Sequence, residues 1–214
     1  MIGQIRESLI RGRAPEVVAG VAQALQQGVG AEEILNDGLC QGMGLIGEKF
    51  KKGEIFVPQV LLAARAMKQG TELLKPYLVA AGVEPVATAV IGTITGDLHD
   101  IGKNLVGMML EGAGFKVIDA GIGVKAETFV QLAREHRAQI IGVSALLTTT
   151  MVNMRAVVEA VRATGIAAKV IIGGAPVTQA FCDEIGADGY SPDAASAAQL
   201  ALRLVAGETR GVGR

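Results

Sequence analysis

Residues 87–104 read Ala87-Thr-Ala-Val-Ile-Gly-Thr-Ile-Thr-Gly-Asp-Leu-His-Asp-Ile-Gly-Lys-Asn104. The apolar run at 87–91 is too short for a helix and rich in β-forming residues, so it predicts a buried strand. A polar, glycine-flanked loop follows it, and a helical pattern then covers residues 102–113. This order predicts one strand–loop–helix unit of a parallel α/β sheet.

The same alternation continues to the end of the chain. Further strands are predicted at residues 115–119, 139–143, 169–172 and 188–190, and further helices at residues 125–136, 151–164, 178–185 and 193–206. Five strands alternating with five helices predict a Rossmann-like (flavodoxin-like) five-stranded parallel sheet. Ligands of such sheets bind beyond the carboxyl ends of the strands, so we expect the functional site in those loops.

The first part of the chain, up to about residue 82, shows helical patterns only. Pro15 and Pro58 are suited to the first positions of two helices, where a backbone N–H has no partner. The helix after Pro15 is predicted to bury Val18, Val21, Ala22 and Leu25 on one face. We therefore predict a four-helix bundle domain at 1–82 and an α/β domain at 86–214.

Composition argues against several classes of protein. The net charge is −1, aromatic residues make up 3% of the chain and Trp is absent, which disfavours nucleic-acid binding. No apolar stretch approaches the ~20 residues that span a bilayer. The first residues lack the pattern of a signal peptide, and the two cysteines form no disulfide framework or zinc motif. We expect a cytoplasmic protein that binds neither nucleic acid nor membrane.

The loop after the first predicted strand holds Asp97 and His99, two residues apart. In such a pair the carboxylate can hold one imidazole nitrogen while the other nitrogen binds a metal. A helix-capping loop with an exposed His99 is an equally compatible interpretation. The second histidine, His136, is in helical register with apolar residues and is predicted to be a packing residue.

Polar and small residues also follow the third and fourth predicted strands. Ser144 is followed by three threonines at 148–150, more hydroxyls than one helix cap needs, which favours a role towards a ligand. Gly173 and Gly174 remove side chains where something flat could lie against the sheet, although taken alone they are better explained by a tight turn.

Three of these segments together carry a family resemblance. Asp97-Leu-His99-Asp-Ile-Gly102, Ser144-Ala-Leu146 and Gly173-Gly174 follow in order, each at a predicted strand end. They resemble the motifs of cobalamin (B12)-binding corrinoid proteins, the methyl carrier subunits of methylamine- and methanol-type methyltransferase systems. The cobalamin-binding region of methionine synthase is a more distant relative. Residues 42–58 resemble the helical bundle that caps the cofactor in the same family.

The resemblance implies roles for particular residues. His99 would be the lower axial ligand of cobalt and would displace the dimethylbenzimidazole base, the arrangement called base-off/His-on. Asp97 would hydrogen-bond His99 and store a proton, and Thr150 would complete this catalytic relay. Other residues implied to bind the cofactor in the α/β domain are Gly96, Leu98, Asp100, Ile101, Gly102, Ser144, Leu146, Thr148, Gly173 and Gly174. Met43, Ile46 and Phe50 of the bundle would lie over the upper face.

The implied function is that of a corrinoid methyl carrier. A substrate-specific corrinoid methyltransferase would load the methyl group, and an acceptor methyltransferase would pass it to tetrahydrofolate or a thiol. A reductive activase is also implied, and the carrier would turn over only with these partners. A cobalamin-dependent sensor or regulator is the alternative, although the light-sensing members place a Trp over the cofactor. A mutase subunit is disfavoured, because such subunits lack the helical bundle.

Overall fold

The computed structural model describes residues 1–207 and divides into two compact units. The first comprises Met1–Val86 with Gly112–Gly114, and the second comprises Ala87–Glu111 with the described residues from Phe115 onwards. The predicted domain range 86–214 includes residues 208–214, which lie outside the described residues.

The first unit is a bundle of helices. They are α1 (Ile2–Ile10), α2 (Ala14–Gln26), α3 (Ala31–Glu33), α4 (Gln41–Lys51) and α5 (Val57–Ala80), with a π-helical segment Ile34–Cys40 that joins α3 to α4. The predicted buried face of α2 is displaced by one position. Val17, Val21 and Ala24 are fully buried, whereas Val18, Ala22 and Leu25 are half-buried. The apolar stripe of α2 is wider than the face that packs into the core. The spacing of its apolar residues therefore predicts the helix correctly but does not show which of them are fully buried.

The second unit contains the sheet and the helices between its strands. The strands are β1 (Thr88–Thr93), β2 (Lys116–Asp119), β3 (Ile140–Ser144), β4 (Lys169–Gly173) and β5 (Gly189–Ser191). The helices are α6 (Ile101–Gly112), α7 (Ala126–Glu135), α8 (Thr148–Met151), α9 (Met154–Thr164), α10 (Gln179–Ile185) and α11 (Ala194–Val205).

All neighbouring strands pair in parallel, in the order β2-β1-β3-β4-β5. The central strands are buried on both faces, which explains why their sequences are nearly continuous apolar runs. The predicted flavodoxin-like parallel sheet after a helical region is confirmed. In this strand order the connections reverse direction between β1 and β3, which is where such folds bind their ligands.

One helix differs from its predicted form. The helix predicted at 151–164 begins earlier and is divided into α8 and α9, so Thr148, Thr149 and Thr150 lie in a short helix rather than in a loop. The backbone N–H groups of Thr150 and Met151 both donate to the Leu147 carbonyl, which closes this extra turn. The turn brings the Thr150 side chain into the interior. Within residues 1–207, no helix combines the length and the apolar character needed to cross a membrane.

Candidate functional site

The loop after β1 carries a buried carboxylate that holds a histidine ring. Asp97 is 1% exposed, and its Oδ1 lies 2.7 Å from His99 Nδ1 and accepts the His99 backbone N–H at 3.1 Å. The His99 side chain is 53% exposed, and Nε2 has no hydrogen-bond partner among residues 1–207. In the neutral ring Nδ1 therefore donates to the carboxylate, and Nε2 keeps a lone pair that can bind a metal.

The second oxygen of Asp97 is bound by the segment that follows β3. Oδ2 accepts the backbone N–H groups of Leu146 at 2.8 Å and Leu147 at 3.3 Å, and the hydroxyl of Thr150 at 2.8 Å. Since β1 and β3 are neighbours in the sheet, one carboxylate joins the two strand ends at the point where the topology reverses. The structure thus brings Asp97, His99 and Thr150 together.

These contacts determine the charge state of Asp97. Burial alone would raise its pKa, but the hydrogen bonds from the Leu146 N–H, His99 and Thr150 outweigh burial and hold the pKa of Asp97 well below its usual range. The carboxylate is therefore negative at neutral pH. A negative charge beside Nδ1 keeps the proton on that nitrogen and makes Nε2 a better electron donor.

Two residues that the sequence did not indicate hold the backbone of this loop by hydrogen bonds to its carbonyl groups. Thr93 is completely buried at the end of β1, and its hydroxyl donates to the backbone carbonyl of His99 at 2.9 Å. Asn153 donates from its side chain to the Thr95 carbonyl at 3.1 Å. The available signal was a threonine at the last position of an otherwise apolar strand, where a buried hydroxyl needs a partner.

The other predicted cofactor residues of the second unit lie at the carboxyl ends of three neighbouring strands. After β1 come Gly96, Leu98, Asp100, Ile101 and Gly102; at the end of β3 and beyond come Ser144, Leu146 and Thr148; at the end of β4 and beyond come Gly173 and Gly174. Leu98, Asp100, Ile101, Leu146 and Thr148 are exposed, as an open binding surface requires. The role of each of them stays a prediction.

The glycines at these strand ends have two different physical causes. At Gly174 the φ angle is +121°, and a Cβ would lie 1.8 Å from the Ala145 carbonyl oxygen, so the protein itself excludes a side chain there. At Gly102 the backbone is ordinary and a Cβ would have only Ser144 Oγ nearby, at 3.9 Å. The fold itself therefore does not require a glycine at position 102.

Exposed apolar side chains surround the histidine loop. They follow β1, β2 and β3 and comprise Leu98 (72% exposed), Ile101 (71%), Ile122 (48%), Leu146 (45%) and Leu147 (41%). An exposed apolar group at the ligand-binding edge of a sheet is typical of a site for a large, partly apolar ligand. Ile122 and Leu147 were not among the predicted site residues, because a single apolar residue in a loop carries no pattern.

The predicted contact residues of the bundle all lie on α4. Met43 and Ile46 are 2% and 1% exposed, and Phe50 is half-buried. Their predicted contact with the upper face of the cofactor stays a prediction.

The donor set limits what kind of metal the site can hold. Among the described residues, no group of three or more His, Cys, Asp or Glu side chains could hold a metal ion by itself. His99 Nε2 offers one nitrogen ligand to a metal at this loop. This arrangement suits a metal held in a prosthetic group, with Asp97 as the residue that orients the single protein ligand.

Comparisons with known proteins agree with this donor set. A B12 binding domain model matches residues 87–199, and a second B12 binding domain model matches residues 1–75. Trimethylamine corrinoid protein 1 of Methanosarcina acetivorans is 47% identical over 84% of this chain and 85% of that protein. Dimethylamine corrinoid protein 3 of the same organism is 40% identical over 96% of this chain and 97% of that protein.

A solved structure extends the likeness to the fold. The methanol:cobalamin methyltransferase complex MtaBC from Methanosarcina barkeri contains a chain that matches with a TM-score of 0.87 and 32% identity, over 97% of this chain and 80% of that chain. The resemblance stated from the three motifs is confirmed, and the cofactor of the chain is a corrinoid, cobalamin. The chain belongs to the B12-binding family of corrinoid proteins.

Proposed function

We propose that the chain is a methyl carrier, which binds cobalamin base-off with His99 on the cobalt and passes methyl groups between two methyltransferases. The observation that supports this most directly is the half-exposed His99 ring, with Nδ1 on the buried Asp97 carboxylate and Nε2 without a partner among the described residues. If this loop served only to cap a helix, Asp97 would not need to be buried and to accept five hydrogen bonds.

The residues of the site would act mainly by orientation. When bound, the corrinoid supplies the cobalt centre at which methyl groups are exchanged. His99 Nε2 would bind the lower face of that centre, and Asp97 and Thr150 would hold the ring in one tautomer and one orientation. Leu98 and Leu146 would exclude water from the lower face, because both are apolar and exposed beside the histidine loop.

The charge of Asp97 changes one predicted role. Asp97 was expected to store a proton, but its hydrogen bonds keep its pKa well below the usual range. We infer that Asp97 would stay negative and would hold the His99 ring in one orientation through the 2.7 Å contact with Nδ1, rather than store a proton itself.

The space beside Gly102 suits the displaced nucleotide tail. A flat base and its linker need small walls, and Gly102 places no side chain between the first turn of α6 and Ser144 at the end of β3. Ser144 Oγ has no hydrogen-bond partner within residues 1–207, so it is available to the tail.

The partners proposed for this carrier follow from its relatives. The similar proteins are named for trimethylamine and dimethylamine, and the similar structure is a methanol methyltransferase complex. We propose a substrate-specific corrinoid methyltransferase of this kind as the donor enzyme, a second methyltransferase with tetrahydrofolate or a thiol as acceptor, and a reductive activase. The donor enzyme, rather than this chain, would select the methyl compound.

The proposal is tested by identifying which nitrogen atom binds the cobalt. Purified apo-protein is mixed with hydroxocobalamin, desalted, reduced to the Co(II) state and examined by electron paramagnetic resonance. In ¹⁵N-labelled protein the nitrogen splitting should change from a triplet to a doublet, because the axial nitrogen would come from His99 and not from the unlabelled base. A triplet in labelled protein would overturn the His-on assignment, and no retained corrinoid would overturn cobalamin binding.

The other histidine of the chain provides the matched control. His99→Ala should remove the nitrogen splitting from the protein, whereas His136→Ala should leave it unchanged, since His136 follows α7 and hydrogen-bonds no residue of the site. Equal spectra for His99→Ala and the unmodified protein would contradict the proposal.

A further inference from the structure

Lys103 is a buried lysine at an unfavourable position. It is the third residue of α6, and its side chain is 4% exposed. A positive charge in the first turn of a helix opposes the helix dipole, and burial of an ammonium group is unfavourable unless the group is paired and hydrogen-bonded. Unfavourable features of this kind are typical of functional sites, so the contacts that Lys103 makes beside the histidine loop are candidates for a functional role.

The contacts of Lys103 join two segments of the site. Its Nζ donates to Asp119 Oδ2 at 2.5 Å and to Asn104 Oδ1 at 2.7 Å. The other oxygen of Asp119 accepts the Gly121 backbone N–H at 2.9 Å. Lys103 therefore ties the first turn of α6 to the loop that follows β2.

That loop is in turn bound to the strand and the loop that carry the histidine. The Gly121 carbonyl accepts the Thr93 N–H at 3.0 Å, and the Gly123 N–H donates to the Asp97 carbonyl at 3.1 Å. Through Asp119, the lysine thus holds α6 against a segment that is itself hydrogen-bonded to the end of β1. The ion pair therefore restrains the position of the first turn of α6.

Gly102, which precedes Lys103, depends for its position on where the first turn of α6 lies. Gly102 carries no side chain, and a Cβ there would contact only Ser144 Oγ, at 3.9 Å, so the position of the first turn of α6 sets how closely Gly102 approaches Ser144. We propose that the Lys103–Asp119 ion pair is a positioning device that holds Gly102 and the first turn of α6 where the nucleotide tail of cobalamin can lie beside them. This inference rests on the proposed function; Lys103 itself touches no reacting atom.

The test compares a corrinoid with the tail and one without it. Hydroxocobalamin carries the nucleotide tail, and diaquacobinamide lacks it, whereas both present the same macrocycle and cobalt to His99. Equilibrium dialysis against each gives two dissociation constants for every variant. We expect Lys103→Met to weaken hydroxocobalamin binding by about 10–100-fold, the usual effect of losing a supporting residue, and to leave cobinamide binding unchanged.

A second variant covers the case in which Lys103→Met fails to fold. Asp119→Ala removes the same ion pair at a side chain that is 50% exposed, and it should show the same selective loss. Asp188→Ala is the matched control, because Asp188 also accepts from a lysine and a backbone N–H, those of Lys169 and Val170, at the start of β4. It should change neither dissociation constant.

The possible results distinguish failure of the inference about Lys103 from failure of the proposed function. If Asp119→Ala weakens both corrinoids equally, or weakens neither, Lys103 does not position the tail site and the inference is wrong. If the unmodified protein retains neither corrinoid, the proposed function fails and the inference with it. If it retains both with equal affinity, the tail site fails while cobalamin binding stands.

Discussion

At the scale of single residues, the candidate site is built around Asp97. Its Oδ1 serves the histidine and its Oδ2 serves the segment after β3, so one side chain connects residues far apart in sequence. Hydrogen bonds to an ionised group are among the stronger ones in proteins, and the Asp97 carboxylate is shielded from water. The identity of this residue therefore affects both stability and the proposed axial ligand.

The low pKa of Asp97 makes stability depend on pH. The pKa is lowered in the folded state, so the stabilisation is fully present above the unfolded value of about 3.9 and is lost as the pH falls below it. Asp97→Asn should lower the free energy of unfolding at pH 7 by about 1–3 kcal/mol, and this difference should shrink towards acid pH. Urea unfolding of apo-protein across pH 3–8 measures it.

Asp100→Asn is the control for that experiment. Asp100 lies in the same loop but is exposed and accepts from the Asn104 side chain. Its replacement should change the free energy of unfolding by less than about 0.5 kcal/mol, as is usual for surface positions. A constant difference between the unmodified protein and Asp97→Asn at every pH would contradict the lowered pKa.

Thr93 offers a second prediction at this scale. Thr93→Val keeps the shape of the side chain but leaves the His99 carbonyl without its donor, which should cost about 1–2 kcal/mol. Thr88→Val, at the other end of β1, is the matched control and should have little effect. Thermal unfolding of apo-protein followed by circular dichroism checks both. Equal melting temperatures for the two variants would show that the hydroxyl contributes nothing.

At the scale of elements, the helix α6 and the turn after β4 illustrate why glycine occurs at strand ends for opposite reasons. Gly102 has an unstrained backbone and room for a Cβ, whereas Gly174 has a positive φ and no room for one. The first glycine is permitted by the fold and the second is required by it. Substitution by alanine therefore separates a binding role from a structural one.

Gly102→Ala should stabilise apo-protein while it weakens cobalamin binding. Alanine is favoured over glycine in a helix by about 0.5–1 kcal/mol, and its methyl group meets no close atom. The same methyl group would occupy the space proposed for the nucleotide tail. Urea unfolding gives the first quantity, and dialysis against hydroxocobalamin and cobinamide gives the second. Unchanged hydroxocobalamin binding would place the tail elsewhere.

Gly174→Ala should destabilise the protein whether or not a cofactor is present. Its Cβ would overlap the Ala145 carbonyl, and φ is +121°, so the expected cost is about 3 kcal/mol or more. Soluble yield and thermal unfolding provide the measurement. A variant that melts like the unmodified protein would show that the turn after β4 can rearrange freely.

At the scale of the whole molecule, the chain consists of two compact units that meet in sequence at an irregular segment. Residues 81–86 lie between α5 and β1, belong to no helix or strand, and are exposed except for half-buried Val83. Each unit has its own buried apolar residues, as independent domains do. This organisation leads to a prediction about proteolysis.

Limited digestion with thermolysin should first cleave the segment between the units. The enzyme cuts before apolar residues, and Val83 and Val86 are the apolar residues of this exposed segment. Mass spectrometry should then find two fragments that end and begin near residues 82–86. First cleavage within β1, or within the loop that carries His99, would contradict the division into two stable units.

Much of the fold and part of the site could be predicted from local patterns. The apolar run before Gly92 is long enough to define a strand, and the pair Asp97 and His99 is close in sequence, so its chemistry was visible. Thr93 and Lys103 could not be found in this way. Their partners are His99, which the folded loop after β1 brings back to Thr93, and Asp119 at the end of the neighbouring strand β2, and no spacing in the sequence indicates either contact.

The sequence by itself determined the order of helices and strands, the parallel sheet and the family, because apolar periodicity and short motifs are local properties of the chain. Only the tertiary structure decided that Asp97 stays ionised, that Lys103 is buried and that a Cβ at position 102 would contact only Ser144 Oγ. Each of these depends on groups that the fold brings together from distant strands, and burial and hydrogen bonding act through space and not along the chain.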